Sequence, residues 1–373
     1  MFQYVDTQAG LDDLVASCED RTVLAIDTEF ARSHTYYPEV GLIQVYNGST
    51  CFLVDPLALE DLGPLAMLLG DASKLKLFHA CGEDLEVFLY ALNVVPGPIF
   101  DTQVGAAVLG VGFSMSYQNL VSHFLGLTIP KEQTRSDWLQ RPLSAAQLDY
   151  AALDVIHLYE VYEKQRGLLE SEDKLGWVME ECGHFGDDIS INQDPSLVYQ
   201  RIKSGSRLSP RELNVLREVC AWREVKARAH NVPRNRIVDE KSLVALSRLP
   251  SPDKNALADV GFSHRQVRKF GDELIRAATL AREAPSASYP PPMEDTRSLA
   301  DKSARLKRLK EVVEARAAEL RVAPEMLARR RHLEQLLRTE DGEGGFELPA
   351  PLRGWRRDAI GEHLIAALQD DAS

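Results

Sequence analysis

Asp27 and Glu29 stand two residues apart at the end of an apolar run, Val23-Leu24-Ala25-Ile26. Asp84 opens a helix-like stretch after a second apolar run, Leu75 to Ala80, and Tyr150 and Asp154 lie four apart in a helical pattern. Residues two apart on a strand share a face, and so do residues four apart on a helix. Four carboxylates and one phenol can therefore meet at a single point. Bare carboxylates gathered there would repel one another strongly in a partly buried site. Hard divalent cations relieve that repulsion, and two of them held about 3.5–4 Å apart support phosphodiester cleavage. The pattern predicts this chemistry, with Asp27, Glu29, Asp84 and Asp154 as metal ligands. Tyr150 then either orients or deprotonates the attacking water.

The elements that must carry these groups are legible in outline. Val23–Phe30, Gly41–Tyr46 and Thr50–Val54 are short, apolar and rich in β-branched or aromatic residues, which predicts three strands. Asn47-Gly48-Ser49 supplies a hairpin turn between the second and third. Leu57–Leu69 reads as a helix, Leu75–His79 as a strand and Asp84–Leu92 as a helix; Asp101 can cap the next helix, and the pattern stays mostly helical to about Leu169. An opening meander followed by alternation predicts an α/β domain, a mixed sheet flanked by helices, over residues 1–195.

Beyond a polar connector the periodicity is helical almost throughout. Two segments repeat each other without gaps: Leu216 matches Leu306, Ala227 matches Ala317, Val232 matches Val322, and Gly271 matches Gly361. That register predicts two copies of one small all-α domain, at 205–284 and 299–373. Between them residues 285–298, with Pro290-Pro291-Pro292, read as a stiff, extended linker.

The chain has 373 residues, 45% of them hydrophobic, and a net charge of −13. Residues 1–194 hold 10 Lys and Arg against 30 Asp and Glu, a balance of −20, whereas residues 195–373 hold 33 against 26, a balance of +7. An acidic half suits cation chemistry and a basic half can hold a polyanion. No run approaches the length of a membrane span, and no secretory leader is evident, so a cytoplasmic location is expected. Cys18, Cys51, Cys81, Cys182 and Cys220 form no Cys-x-x-Cys pair and read as buried thiols of a reducing compartment.

Asp-x-Glu and Tyr-x-x-x-Asp are each commonplace, so the signal lies in their order and spacing. Glycine-rich phosphate loops, Gly-x-Ser-x-Gly and His-Glu-x-x-His are all missing. Asp27-Thr28-Glu29-Phe30, Asp84 and Tyr150-Ala151-Ala152-Leu153-Asp154 resemble the three exonuclease motifs of the DEDD superfamily, tyrosine variant. Gly41-Leu42-Ile43-Gln44, Phe100-Asp101-Thr102-Gln103, Ser136-Asp137-Trp138 and Arg141-Pro142-Leu143 are similar to sequences of the ribonuclease D family. The duplicated basic segment resembles the HRDC domain. The resemblance implies a ribonuclease H-like fold and a 3′→5′ exoribonuclease using two divalent ions, Mg2+ or Mn2+. Its partner would be RNA with a single-stranded 3′ end, notably precursor tRNA, with no obligate protein partner. Asp27, Glu29, Asp84 and Asp154 carry over as the metal ligands and Tyr150 as the residue positioning the water.

Further contacts to RNA have competing structural readings. Phe30 either wedges against the terminal base or belongs to the core, and Gln44 either bonds the ribose or is structural. His79 either lies near the metals or is a hydrogen-bonded core histidine. Lys131 and Arg135 are rare cations of the acidic half, suited to backbone phosphates. Lys226, Arg228 and Arg234 belong to the dense basic part of the first helical copy, where Trp222 could stack. A DNA exonuclease of the same superfamily and a catalytically idle RNA-binding adaptor are the alternative functions. The intact acidic set argues against the adaptor, since a binder gains nothing from anions facing phosphate.

Overall fold

The computed structural model describes residues 2–129, 136–186, 189, 194–293, 303–341 and 344–369. The chain divides into two units: residues 1–31, 40–186 and 297–373 form one, and residues 32–39 and 187–296 form the other.

The first unit is built on strands β1 (Phe2–Val5), β2 (Val23–Ala31), β3 (Glu39–Tyr46), β4 (Cys51–Val54), β5 (Leu75–Phe78) and β6 (Ile99–Asp101), in the order β1-β4-β3-β2-β5-β6. β1 runs parallel to β4, β3 antiparallel to β4, and β2, β5 and β6 are mutually parallel, with Val23 beside Leu75 and Lys76 beside Ile99. The mixed sheet matches expectation, but β1 and β6 were not foreseen. Its helices are α1 (Gln8–Ser17), α2 (Gly63–Gly70), α3 (Gly82–Leu92), α4 (Thr102–Val108), α5 (Tyr117–Leu125), α6 (Ala145–Ser171) and α7 (Leu175–Gly183). α2 begins six residues later than predicted. Asp55 and Asp61 each accept a backbone N–H two residues on, from Leu57 and Gly63, and Pro64 then starts the helix. Leu24, Ile26, Leu42, Ile43, Leu53, Phe78, Phe88 and Phe100 fill the core.

The second helical copy belongs to this same unit. Its helices Ser303–Leu320, Pro324–Leu327 and Arg330–Arg338 lead to a π-helical turn, Arg357–Gly361, and the helix Glu362–Gln369. It is tied to the α4 and α7 region. Ala323 N donates to Ala107 O at 2.8 Å, Lys174 Nζ donates to Leu320 O at 2.6 Å, and Trp355 stacks on Trp177 at 4.7 Å. Gly110 (φ +69°) is required at this seam, because a Cβ there would lie 2.7 Å from Arg321 O.

The other unit contains the first copy, whose helices include Pro210–Ala229, Arg234–Ile237, Glu240–Arg248 and His264–Glu283. Shifted by 90 residues, Arg234–Ile237 and Glu240–Arg248 coincide with Pro324–Leu327 and Arg330–Arg338. The gapless register read from sequence is thus a register of helix boundaries. The linker reading needs correction over its described part. Ser286–Ser288 form a 3-10 turn, Arg217 Nη1 donates to Ser288 O at 3.1 Å, and Arg211 Nε donates to the Tyr289 hydroxyl at 3.2 Å. These bonds fold the segment onto the first copy instead of leaving it extended. All five cysteines are free and buried, and among the described residues no helix is long and apolar enough to cross a membrane.

Candidate active site

β2 is fixed in register by burial of Leu24, Ala25 and Ile26, so alternation turns Asp27 and Glu29 to one face beyond them. α6 begins with a capping box in which the Ser144 side chain and Gln147 satisfy each other's backbone N–H groups. That fixed start sets the phase which brings Tyr150 and Asp154 round to the same face. Carboxylate oxygens of Asp27, Glu29 and Asp154 lie within 4.8 Å of one another. The Tyr150 phenol and the Asp154 carboxyl are close enough on this face to shift each other's ionisation. Asp84 sits in the first turn of α3, where the helix dipole favours an anion; it feels the charge of Asp27, and its own charge is felt by Glu29.

All four carboxyls are pushed up from their ordinary range. Burial is the main cause for each; Asp154 adds to it at Asp27, Asp27 adds at Asp84, and Asp27, Asp154 and Asp84 add at Glu29. The Tyr150 phenol is also pushed up, by burial and then by the charges of Asp154 and Glu29. It therefore keeps its proton beside Asp154. Asp154 Oδ1 is enclosed and has no hydrogen-bond partner among the described residues. A buried acceptor of this kind within a cluster of anions fits a hard cation.

Three supporting residues escaped the sequence reading. Thr28, which alternation turns away from Asp27, donates its hydroxyl to Asp84 Oδ1 at 2.5 Å. Its place between the two acids was the available signal. The Tyr117 hydroxyl donates to the Asp154 carbonyl, and nothing local in the sequence announces this. Asp55 receives Arg141 through two bonds of 2.6 Å, and Arg141 also donates to Trp138 O. This clamp holds Trp138 with its ring 6.3 Å from that of Tyr150. Gly41 lies under the same segment, where a Cβ would meet Trp138 O at 2.4 Å.

The predicted RNA contacts fare differently. Phe30 is half-buried at the end of β2. Gln44 follows its structural alternative: it is 0% exposed within β3, its amide enclosed without a hydrogen-bond partner among the described residues. His79 follows its hydrogen-bonded alternative: one ring nitrogen bonds Thr102 Oγ1 at 3.0 Å and the other Met115 O at 3.1 Å. Asp101 caps α4 through Gln103 N and also accepts from Ala80 N and Cys81 N. Lys226 is paired with Glu273, to which the Trp222 indole N–H also donates, so both are engaged within the first helical copy. Arg228 and Arg234 are corrected as well: both guanidiniums are bound to Glu224 and to the Tyr36 hydroxyl. Lys131 and Arg135 lie outside the described residues.

A mixed sheet presenting two strand carboxylates to a helical Tyr-x-x-x-Asp face defines a 3′→5′ exonuclease domain, and the 3′-5′ exonuclease family model matches residues 2–170. The HRDC domain model matches residues 212–277, and that of the ribonuclease D C-terminal HRDC domain matches residues 302–364. Ribonuclease D of Pseudomonas paraeruginosa is 42% identical over 368 residues, which cover 98% of this chain and 97% of that protein. Ribonuclease D of Escherichia coli is 32% identical over 373 residues, covering 99% of each. The crystal structure of Escherichia coli RNase D, an exoribonuclease involved in structured RNA processing, matches with a TM-score of 0.89 over 99% of both chains. The chain belongs to the ribonuclease D family, and it is a 3′→5′ exoribonuclease.

Proposed function

We propose that this chain removes 5′-mononucleotides from the 3′ ends of precursor tRNA and other small structured RNAs, in the cytoplasm, with two divalent cations, Mg2+ or Mn2+. The observation that carries the metal reading is the meeting of Asp27, Glu29 and Asp154 oxygens within 4.8 Å around the unbonded Asp154 Oδ1. Asp27, Glu29, Asp84 and Asp154 would hold the ions. Bound there, the ions would supply an activated water and stabilise the departing oxygen. Tyr150, on the same helix face as Asp154, orients the attacking water through its phenol. Thr28 holds Asp84 in position, and Tyr117 holds the α6 backbone at Asp154. Phe30, at the strand end beside Glu29, packs against the terminal base.

In this reading residues 1–195 carry catalysis, while the helical copies at 205–284 and 299–373, joined by 285–298, hold RNA through cations on their exposed faces. Such holding is electrostatic and weakens with salt. The test is incubation of purified protein with a 3′-extended tRNA, with and without EDTA, and identification of the products. Release of 5′-mononucleotides that EDTA stops, and its loss in Asp27→Asn, are expected. Full activity in Asp27→Asn and Asp154→Asn would defeat the metal model, and a clear preference for a matched DNA overhang would defeat the RNA assignment.

A further inference from the structure

Residues 32–39 connect β2 to β3, so they begin three positions after Glu29, yet they belong to the unit of the first helical copy. Tyr36 is 4% exposed, and its hydroxyl donates to Glu224 on the helix Pro210–Ala229. Glu224 is itself fully enclosed. Arg228 Nε and Arg234 Nη2 each donate to the same Tyr36 oxygen at 3.0 Å, and the Arg234 guanidinium lies 4.9 Å from the centre of the Tyr36 ring. Asn231, in the left-handed region (φ 46°) that asparagine tolerates, accepts from Tyr36 N and Tyr37 N, both at 3.0 Å. Two backbone donors of this connection are thus satisfied by a side chain of the helical copy.

A buried carboxylate bound by two guanidiniums and a phenol has one well-defined arrangement. Arg32 to Thr35 are the only residues between that anchor and Ala31, the last residue of β2. The strand end bearing Glu29 and Phe30 is thus four residues of chain from the anchor. We infer that the first helical copy acts as a positioning element for the Glu29 side of the acidic cluster, with Tyr36, Glu224 and Asn231 as its positioning residues. This function adds to RNA holding and rests on the reading of Glu29 as a metal ligand.

The test uses the full chain carrying Tyr36→Phe, Asn231→Ala or both, beside the native protein and a Lys254→Ala control that alters an exposed pair with Asp272. Equilibrium Mn2+ binding is read from the EPR signal of free ion, and kcat and KM are measured on a diribonucleotide and on a 3′-extended RNA. The expected result for the double variant is Mn2+ binding weakened by about tenfold, the usual scale for lost support of a metal ligand. kcat should fall alike on both substrates, KM should change little, and excess Mn2+ should restore much of kcat. Lys254→Ala should match native protein. Tyr36→Phe removes one hydroxyl, so it keeps the test valid should the double variant fold poorly. The inference is overturned by native-like Mn2+ binding in these variants, or by a rise in KM confined to the long RNA. Native protein that neither binds Mn2+ nor degrades RNA would instead overturn the functional reading, and this inference with it.

Discussion

Replacing Glu224 by Gln removes one charge and almost no volume, so it isolates the electrostatic content of the Tyr36 anchor. The Glu224 side chain is 0% exposed, paired with Arg228 at 2.9 Å and with Arg234. Burial alone would raise its pKa. Hydrogen bonds from Arg234 and Tyr36, with the charges of Arg234 and Arg228, overcome burial and hold it down at about 2. Against an ordinary value of 4.5 the difference is about 2.5 units, or roughly 3 kcal/mol. The sign follows from a depressed carboxyl: its stabilisation is fully present above the unfolded pKa and is lost as pH falls towards the folded one. Glu224→Gln should therefore cost about 3 kcal/mol at pH 7 and about 2 kcal/mol at pH 3.5. Loss of one partner from a buried ion pair gives the same scale, about 3–5 kcal/mol. Urea unfolding followed through Trp222, which lies on the same helix, measures both values. Glu273→Gln is the comparison: its pair with Lys226 is 46% exposed on the acidic side, and its loss should stay within about 1 kcal/mol. A cost below about 1 kcal/mol for Glu224→Gln at pH 7, or one that does not shrink in acid, would refute the reasoning.

Two further outcomes are expected. Burial pushes the Asp154 carboxyl up to about 7, so it destabilises the metal-free protein increasingly as pH rises from about 4 through 7. In EDTA at pH 8, Asp154→Asn should melt above the native chain, the gap closing near pH 4; added Mn2+ should favour the native chain, and equal melting in EDTA at pH 8 would count against the burial argument. Arg356 donates to Glu181 Oε1 at 2.6 Å and to Met326 O at 2.7 Å, so Arg356→Ala should cost about 3 kcal/mol and speed proteolytic release of residues 303–369. An unchanged urea midpoint and digestion pattern would contradict it.

The acidic cluster was legible because each of its members rides on a periodicity. Strand alternation aligns Asp27 with Glu29, one helical turn aligns Tyr150 with Asp154, and apolar residues flank both pairs. The duplicated helical domain was legible for a related reason, since an ungapped offset survives divergence of the residues themselves. β1 and β6 were not legible: four and three residues are too few to establish a period. The start of α2 was misread because apolar Leu57 and Leu59 extend the hydrophobic pattern through a turn that Asp55 and Asp61 dictate.

Charge counting failed in a more instructive way. A balance of +7 over residues 195–373 treats every cation as available to a polyanion. Arg228 and Arg234 are instead bound to Glu224 and Tyr36, Arg223 is 1% exposed and donates to Val238 O, and Arg356 is clasped by Glu181. Tyr36 and Glu224 are 188 residues apart in sequence, so no local pattern reports that they meet. Long-range attraction is set by net charge, whereas contact with a phosphate needs a donor that is not already occupied. A phosphate contact in this half would therefore fall to exposed cations such as Lys203, Arg236 and Lys241, and not to Arg223, Arg228 and Arg234. Arg228 and Arg234 instead hold Tyr36 of the 32–39 connection, a use of cationic side chains that no charge count distinguishes from an open phosphate site.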